Sequence, residues 1–281
     1  MVLTSSFQFQ DFQHYVDVNT NQTKAFTYTR GANPTLEIFE QKIAKLENGE
    51  CVKSFALGMA AISAAILGLI EQSQHILVVN TIYGSASKFI RHLQCLGVES
   101  TIIHVSETAD IFQHVQDNTK IIYFESPSSQ KFEMLDLEMI SLFSKKKNIY
   151  TIMDNTWSTP LFQNPLCFGI DVVIHSCSKY IGGHSDIVGG ILVTNFDTMQ
   201  KIEELGCNLL GGTMSPVNAW LAIRGLRTLP VRLEKQEESI KEIIDFLKND
   251  SRILKIYHPM ISTPKDICQK YLRGYTSLFG F

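Results

Sequence analysis

Between residues 76 and 194 the sequence alternates short, β-branched apolar runs with runs of helical spacing, and few folds accept that order. Ile76–Val79, Ser100–Val105, Ile121–Phe124, Ile149–Met153, Asp171–His175 and Gly189–Thr194 read as strands. Phe89–Leu96, Ile111–Gln116 and Leu137–Phe143 lie between them and carry apolar residues three and four apart. Repeated strand–helix–strand units predict an α/β fold, a largely parallel sheet with helices on both faces. Ligands of such sheets bind beyond the carboxyl ends of the strands. Four of these ends carry the chain's most distinctive groups: Tyr83, Glu125–Ser126, Asp154–Asn155, and the trio Ser176, Ser178 and Lys179. One such end would be chance; four on one edge predict one site.

The flanking segments add to that site. Residues 1–30 read as an extended N-terminal arm, polar and aromatic with weak periodicity. Tyr28 and Arg30 are two apart, so on an extended segment they point the same way. A phenol and a guanidinium aimed together suit a phosphate, although an exposed loop pair has the same spacing. Gly31 and Asn33–Pro34 mark a turn, and Thr35 can cap a helix over Leu36–Leu46. Phe55–Ile70 is small and apolar all round, as a buried helix is. Its start at Gly58–Met59 offers backbone N–H groups to an anion. Beyond the alternating region, Ala219–Leu226 and Arg232–Lys248 read as two helices, and Ile253–Tyr257 as a further strand.

Composition excludes several other functions. With 44% hydrophobic and 19% charged residues and a net charge of -3, the chain is an ordinary globular one with no basic stripe for nucleic acid. No apolar run approaches the roughly 20 residues that span a bilayer. The start, MVLTSSFQFQ, lacks the basic and apolar segments of a signal peptide. Six cysteines show no C-x-x-C spacing and no metal-ligand grouping, so a reducing cytoplasm is the expected location and no metal is expected.

A lysine, an acid, a flat aromatic and a phosphate cradle together suit pyridoxal 5′-phosphate. On its own, Lys179 in DVVIHSCSKYIGGHSD also fits a solvated loop lysine beside a glycine turn. With the other strand ends it becomes the amine that bonds the cofactor aldehyde. Asp154 would stand against the pyridine nitrogen and keep it protonated. Tyr83 would stack on the ring, and Ser176, Ser178, the Gly58 and Met59 amides, Tyr28 and Arg30 would share the phosphate. His175 and His184 are assigned structural roles.

The segments TYTRGANPT, GMAA, IYG, ESPSS, MDNTW, HSCSKYIGGHSD and RGLRTL resemble, in order and spacing, the cysteine/methionine-metabolism enzymes that use pyridoxal phosphate. The resemblance covers essentially all 281 residues and is closest to the bacterial cystathionine β-lyases. It implies a fold-type I, aspartate-aminotransferase-like large domain over residues 31–230. Residues 231–281 would then be a linker helix and the start of an incomplete C-terminal domain, with Phe281 in that domain's first strand. It implies a homotetramer built as a dimer of dimers, in which Tyr28 and Arg30 serve the neighbouring subunit. The implied reaction is β-elimination of a small sulfur amino acid, cystathionine, to homocysteine, pyruvate and ammonia. In it Lys179 takes the α-proton, and Tyr83 and the neighbour's Tyr28 assist at the leaving sulfur. γ-Lyase or γ-synthase activity is the enzymatic alternative, and a cofactor-binding remnant without turnover is the other. Two positions depart from the family pattern: Leu57 replaces a serine before Gly58, and Ser129 replaces the asparagine of SPSNP.

Overall fold

The computed structural model describes residues 1–281. Seven strands form one sheet: β1 (Cys51–Phe55), β2 (His75–Val79), β3 (Glu99–Ile103), β4 (Thr119–Glu125), β5 (Tyr150–Asp154), β6 (Val172–Ser176) and β7 (Gly190–Thr194). Their order is β1-β7-β6-β5-β4-β2-β3. β7 runs antiparallel to both its neighbours, and all other pairs are parallel. The helices are α1 (Phe12–Asn19), α2 (Pro34–Glu47), α3 (Gly58–Leu69), α4 (Gly84–His92), α5 (Leu137–Lys147), α6 (Thr159–Phe162), α7 (Phe196–Glu203), α8 (Pro216–Lys248), α9 (Pro259–Ser262) and α10 (Lys265–Tyr271). None is long and apolar enough to cross a membrane.

Strand parity builds two cores. Successive side chains of a strand point to opposite faces. Val52, Leu77, Ile122, Met153 and Val173 pack on one face with α2, α5 and α8. Phe55, Val78, Ile121, Tyr123, Ile152, Val172 and Ile174 pack on the other with α3, α4 and α7. The result is the three-layered, mostly parallel arrangement that the alternation predicts.

Several local expectations are corrected. The arm is not extended throughout: Asp11 accepts from the His14 backbone N–H, and residues 12–19 close into α1, none of them buried. Asn33, not Thr35, caps α2, and Pro34 takes the first helical position, where its missing N–H costs nothing. The Thr35 hydroxyl instead accepts from Val2 N–H. Residues 51–55 form a strand, and the following helix starts at Gly58, because β7 offers them an antiparallel partner. The segment around Ile111 is a 3₁₀ turn. The two helices expected after residue 219 are one helix of 33 residues that passes through Pro230. Ala222, Gly225 and Leu229 before the proline and Leu233, Ile240 and Ile244 after it are all buried, so packing overrides the lost hydrogen bond. The boundary expected at 230/231 therefore falls inside a helix. Ile253–Tyr257 forms no strand; Tyr257 makes a single bridge to Gly280.

Candidate active site

Glu125, Asp154 and Ser176 end three adjacent strands and share parity with Tyr123, Ile152 and Ile174, so all three stand on the α3 face. They line a cavity of about 870 Å³. Gly58 and Met59 of α3, Tyr83, Ser178 and Lys179 line it too, so seven of the nine residues assigned to the cofactor from the sequence come together, with Glu125 beside them. Leu57, the N-cap of α3, makes no side-chain cap bond, which leaves the first amides of a 12-residue helix available to a ligand. A methyl group on Gly58 would lie 3.2 Å from the Ser176 hydroxyl, so glycine keeps that corner open. Gly190 allows the same turn to approach β7, since a Cβ there would lie 2.4 Å from the Leu57 carbonyl oxygen.

Lys179 sits on the turn that leaves β6. Gly182 N–H donates to Cys177 O and Gly183 N–H to Lys179 O, both at 2.8 Å, and curl the chain back on itself. The Lys179 side chain is exposed and enters none of the chain's ion pairs. Ser178 accepts from Gly189 N–H at 3.3 Å. The Arg232 guanidinium lies against Gly183 and also lines the cavity. It donates to Thr228 Oγ1 and Gly225 O of its own helix and has no carboxylate partner.

Two carboxylates face the cavity side by side, with Glu125 in register with Asp154. Asp154 receives the backbone N–H and the hydroxyl of Thr156, both on Oδ1, which leaves Oδ2 free. The same Thr156 hydroxyl accepts from Ser176 N–H at 2.8 Å and so joins β5 to β6. Loss of surrounding water pushes the Asp154 pKa up, against the Thr156 hydrogen bonds and the His175 charge. Burial, and then repulsion from Asp154, push Glu125 up to about 8. Both shifts favour the neutral, protonated carboxyls, and a cationic partner would draw either back to its ionised form. Burial also raises Tyr123, whose hydroxyl has no partner.

Tyr28 and Arg30 are not in this cavity. They are exposed on the arm, with the guanidinium 5.5 Å from the ring centroid. The base of the arm is held: Lys53 donates to Gly31 O at 2.9 Å and pairs with Glu203 at 2.6 Å. His175 lies on the opposite face of the sheet, paired with buried Glu47, and His184 bonds Gly182 O, so neither lines the cavity. Thr156, Trp157, Arg232 and Gln236 line it without having been assigned to the site from the sequence, and so does Ser129, which the sequence marks only as a departure from the family pattern. Thr156 was legible as part of DNTW. Arg232 and Gln236 were not, because only helix packing brings α8 to this edge.

A profile of the Cys/Met metabolism PLP-dependent enzyme family matches residues 1–281. Cystathionine γ-lyase of Bacillus subtilis is 35% identical over 246 residues, covering 87% of this chain and 65% of that protein. The chain thus spans less than two thirds of that relative's length. Cystathionine β-lyase of Lactococcus lactis subsp. cremoris is 32% identical over 95% of this chain and 71% of its own length. A Campylobacter jejuni protein described as an O-acetylhomoserine (thiol)-lyase, holding N′-pyridoxyl-lysine-5′-monophosphate, superposes with a TM-score of 0.91. It is 27% identical, and the match covers 98% of this chain and 78% of that one.

Proposed function

Because the chain belongs to the Cys/Met-metabolism family of pyridoxal-phosphate-dependent enzymes, we propose that its cavity binds the cofactor through Lys179 and serves carbon–sulfur bond chemistry on a sulfur amino acid. The observation that carries this reading is the convergence of Lys179, Asp154, Tyr83, Ser176 and Ser178 with the open end of α3 around one cavity.

The residues present fit the cofactor. The free amides at Gly58 and Met59, on the positive end of α3, suit a phosphate, with the Ser176 and Ser178 hydroxyls beside them. The unpaired Oδ2 of Asp154 suits a protonated ring nitrogen, which would return that carboxyl to its ionised form. Tyr83 offers a flat face on the cavity wall. Bound there, pyridoxal phosphate supplies an electron sink for charge that develops at the substrate α-carbon.

The chain's own residues carry the rest. Lys179, with no carboxylate partner, serves first as the covalent anchor and then, once released, as the base for the α-proton. Asp154 holds the proton on the ring nitrogen. Tyr83, on the cavity wall, would orient the ring and could assist proton transfer at the leaving sulfur. Trp157 donates to Leu278 O at 3.0 Å and packs on Phe132, closing one side against water. Tyr28 and Arg30, exposed and outside their own cavity, serve a neighbouring copy in a homo-oligomer.

The specific reaction in this reading is β-elimination of cystathionine. γ-Elimination is the second reading, favoured by the 35% identity to the Bacillus γ-lyase. The test is to add pyridoxal phosphate to the purified chain and follow visible absorbance, then to supply cystathionine. A band that Lys179→Ala abolishes, with pyruvate and homocysteine as products, supports the first reading. 2-Oxobutyrate and cysteine would replace it with the second. A band without either product would reduce the function to cofactor binding, and no band would overturn the proposal.

A further inference from the structure

Glu125 is the carboxylate of the cavity wall to which the chemistry above gives no task. It is the last residue of β4 and only 8% exposed. Its Oε1 accepts from the Tyr83 backbone N–H at 2.6 Å, and its Oε2 accepts from the Ser129 hydroxyl at 2.6 Å. Tyr83 is the N-cap of α4 and makes no side-chain cap bond of its own. Ser129 N–H in turn donates to Thr81 O at 2.9 Å. The loop after β2 and the loop after β4 are thus stitched together at two points, and Glu125 is one of them.

We propose that Glu125 is a positioning residue of this site: by bonding the Tyr83 backbone and the Ser129 loop at once, it sets where the Tyr83 ring stands over the cavity. The inference rests on the reading that the cavity holds pyridoxal phosphate with Tyr83 against its ring. Three observations support it. Each oxygen of the side chain already holds a partner on a different loop. Tyr83 is half exposed and its hydroxyl bonds no other residue, so the ring's place depends on its backbone. An acidic residue is kept there despite the expense of burial beside Asp154, which pushes it up to about 8. A carboxyl group presents two oxygens side by side, which suits partners approaching from two different loops.

The test separates reach from ionisation. Glu125→Asp keeps an ionisable carboxyl but is one methylene too short to hold both partners. Glu125→Gln keeps the reach and cannot ionise; its amide accepts from Tyr83 and donates to a turned Ser129 hydroxyl. The readout is the dissociation constant for pyridoxal phosphate, from visible absorbance, with unfolding curves confirming that each variant is folded. The expected result is roughly a 10-fold weaker affinity in Glu125→Asp and a value within about 3-fold of the unmutated chain in Glu125→Gln. In a Tyr83→Ala background the two variants should bind equally, because the residue they position is gone. The reverse order, or a Glu125→Asp loss that persists undiminished without the Tyr83 ring, would overturn this inference alone. No band in the unmutated chain would overturn the cofactor reading and this inference with it.

Discussion

Two polar clusters stand back to back at the ends of the same strands. On the α3 face are Asp154 and Ser176, with Lys179 just beyond. On the opposite face, one residue along each strand, are Asn155 and His175. There, fully buried Glu47 accepts from His175, from Asn155 Nδ2 at 3.3 Å and from Asn164 Nδ2 at 3.2 Å. Arg273 closes the cluster, bonding Asn164 Oδ1 at 2.7 Å and the carbonyls of Pro160 and Leu161. The second cluster turns its groups on one another in a closed interior, where only Asn155 Oδ1 and His175 Nδ1 are left without a partner. The first keeps an unpaired carboxylate oxygen and an unpaired lysine beside an open cavity. Residue type does not separate the two, since both hold acids, a base and small polar side chains. Unspent hydrogen-bonding capacity beside open space does, and it marks the face built to take a ligand.

The contrast breaks most readily at Lys179. Lys179→Ala should abolish the visible band and lower turnover by roughly 100- to 10,000-fold, with an unchanged urea midpoint because the side chain is exposed and unpaired. A large loss of stability there would erase the distinction. Next in size is Glu47→Ala. It strands His175, Asn155 and Asn164 in a buried site and should cost about 3 kcal/mol in urea unfolding. The band and its dependence on Lys179 should survive wherever the variant is folded; loss of the band at full stability would show that the far cluster reaches the site.

Gly58→Ala tests the open corner. A Cβ there crowds the Ser176 hydroxyl, so affinity for pyridoxal phosphate should fall by about 10-fold. Affinity for pyridoxal, which has no phosphate to seat, should fall less, and equal losses would place the phosphate elsewhere. The smallest effect is in pH. Glu125 is raised to about 8 in the folded chain from an ordinary 4.5, so between these values the folded form binds the extra proton. Its contribution to stability is therefore present below about pH 4.5 and is lost as pH rises through 8. The melting temperature of the cofactor-free chain should fall more between pH 5 and 9 in the unmutated protein than in Glu125→Gln, and parallel curves would refute the shift.

Much of this was legible in the residues. β2 to β7 announce themselves as apolar runs, and Lys179, Asp154, Tyr83 and Glu125 follow at or just beyond strand ends. β1 did not announce itself. Its Lys53 and Ser54 look like loop residues until Glu203, Gly31 and Glu40 are seen to meet them. The passage of α8 through Pro230 also contradicts local rules, because burial on both sides of the proline is a property of neighbours distant in sequence. Thr35 and Asn33 are both good caps, and only the backbone geometry at residue 33, φ -148 and ψ 138, decides between them.

Periodicity is local, so the order of residues alone determines that Asp154 and Asn155, or Ser176 and His175, must face opposite ways on a strand. Which of those ways is lined with partners and which is left open is not local. His175 finds Glu47 across 128 residues, and Glu125 finds Tyr83 across 42. Those meetings depend on which helix covers which face of the sheet, and that is settled by the burial of both cores at once, not by any segment's own preference.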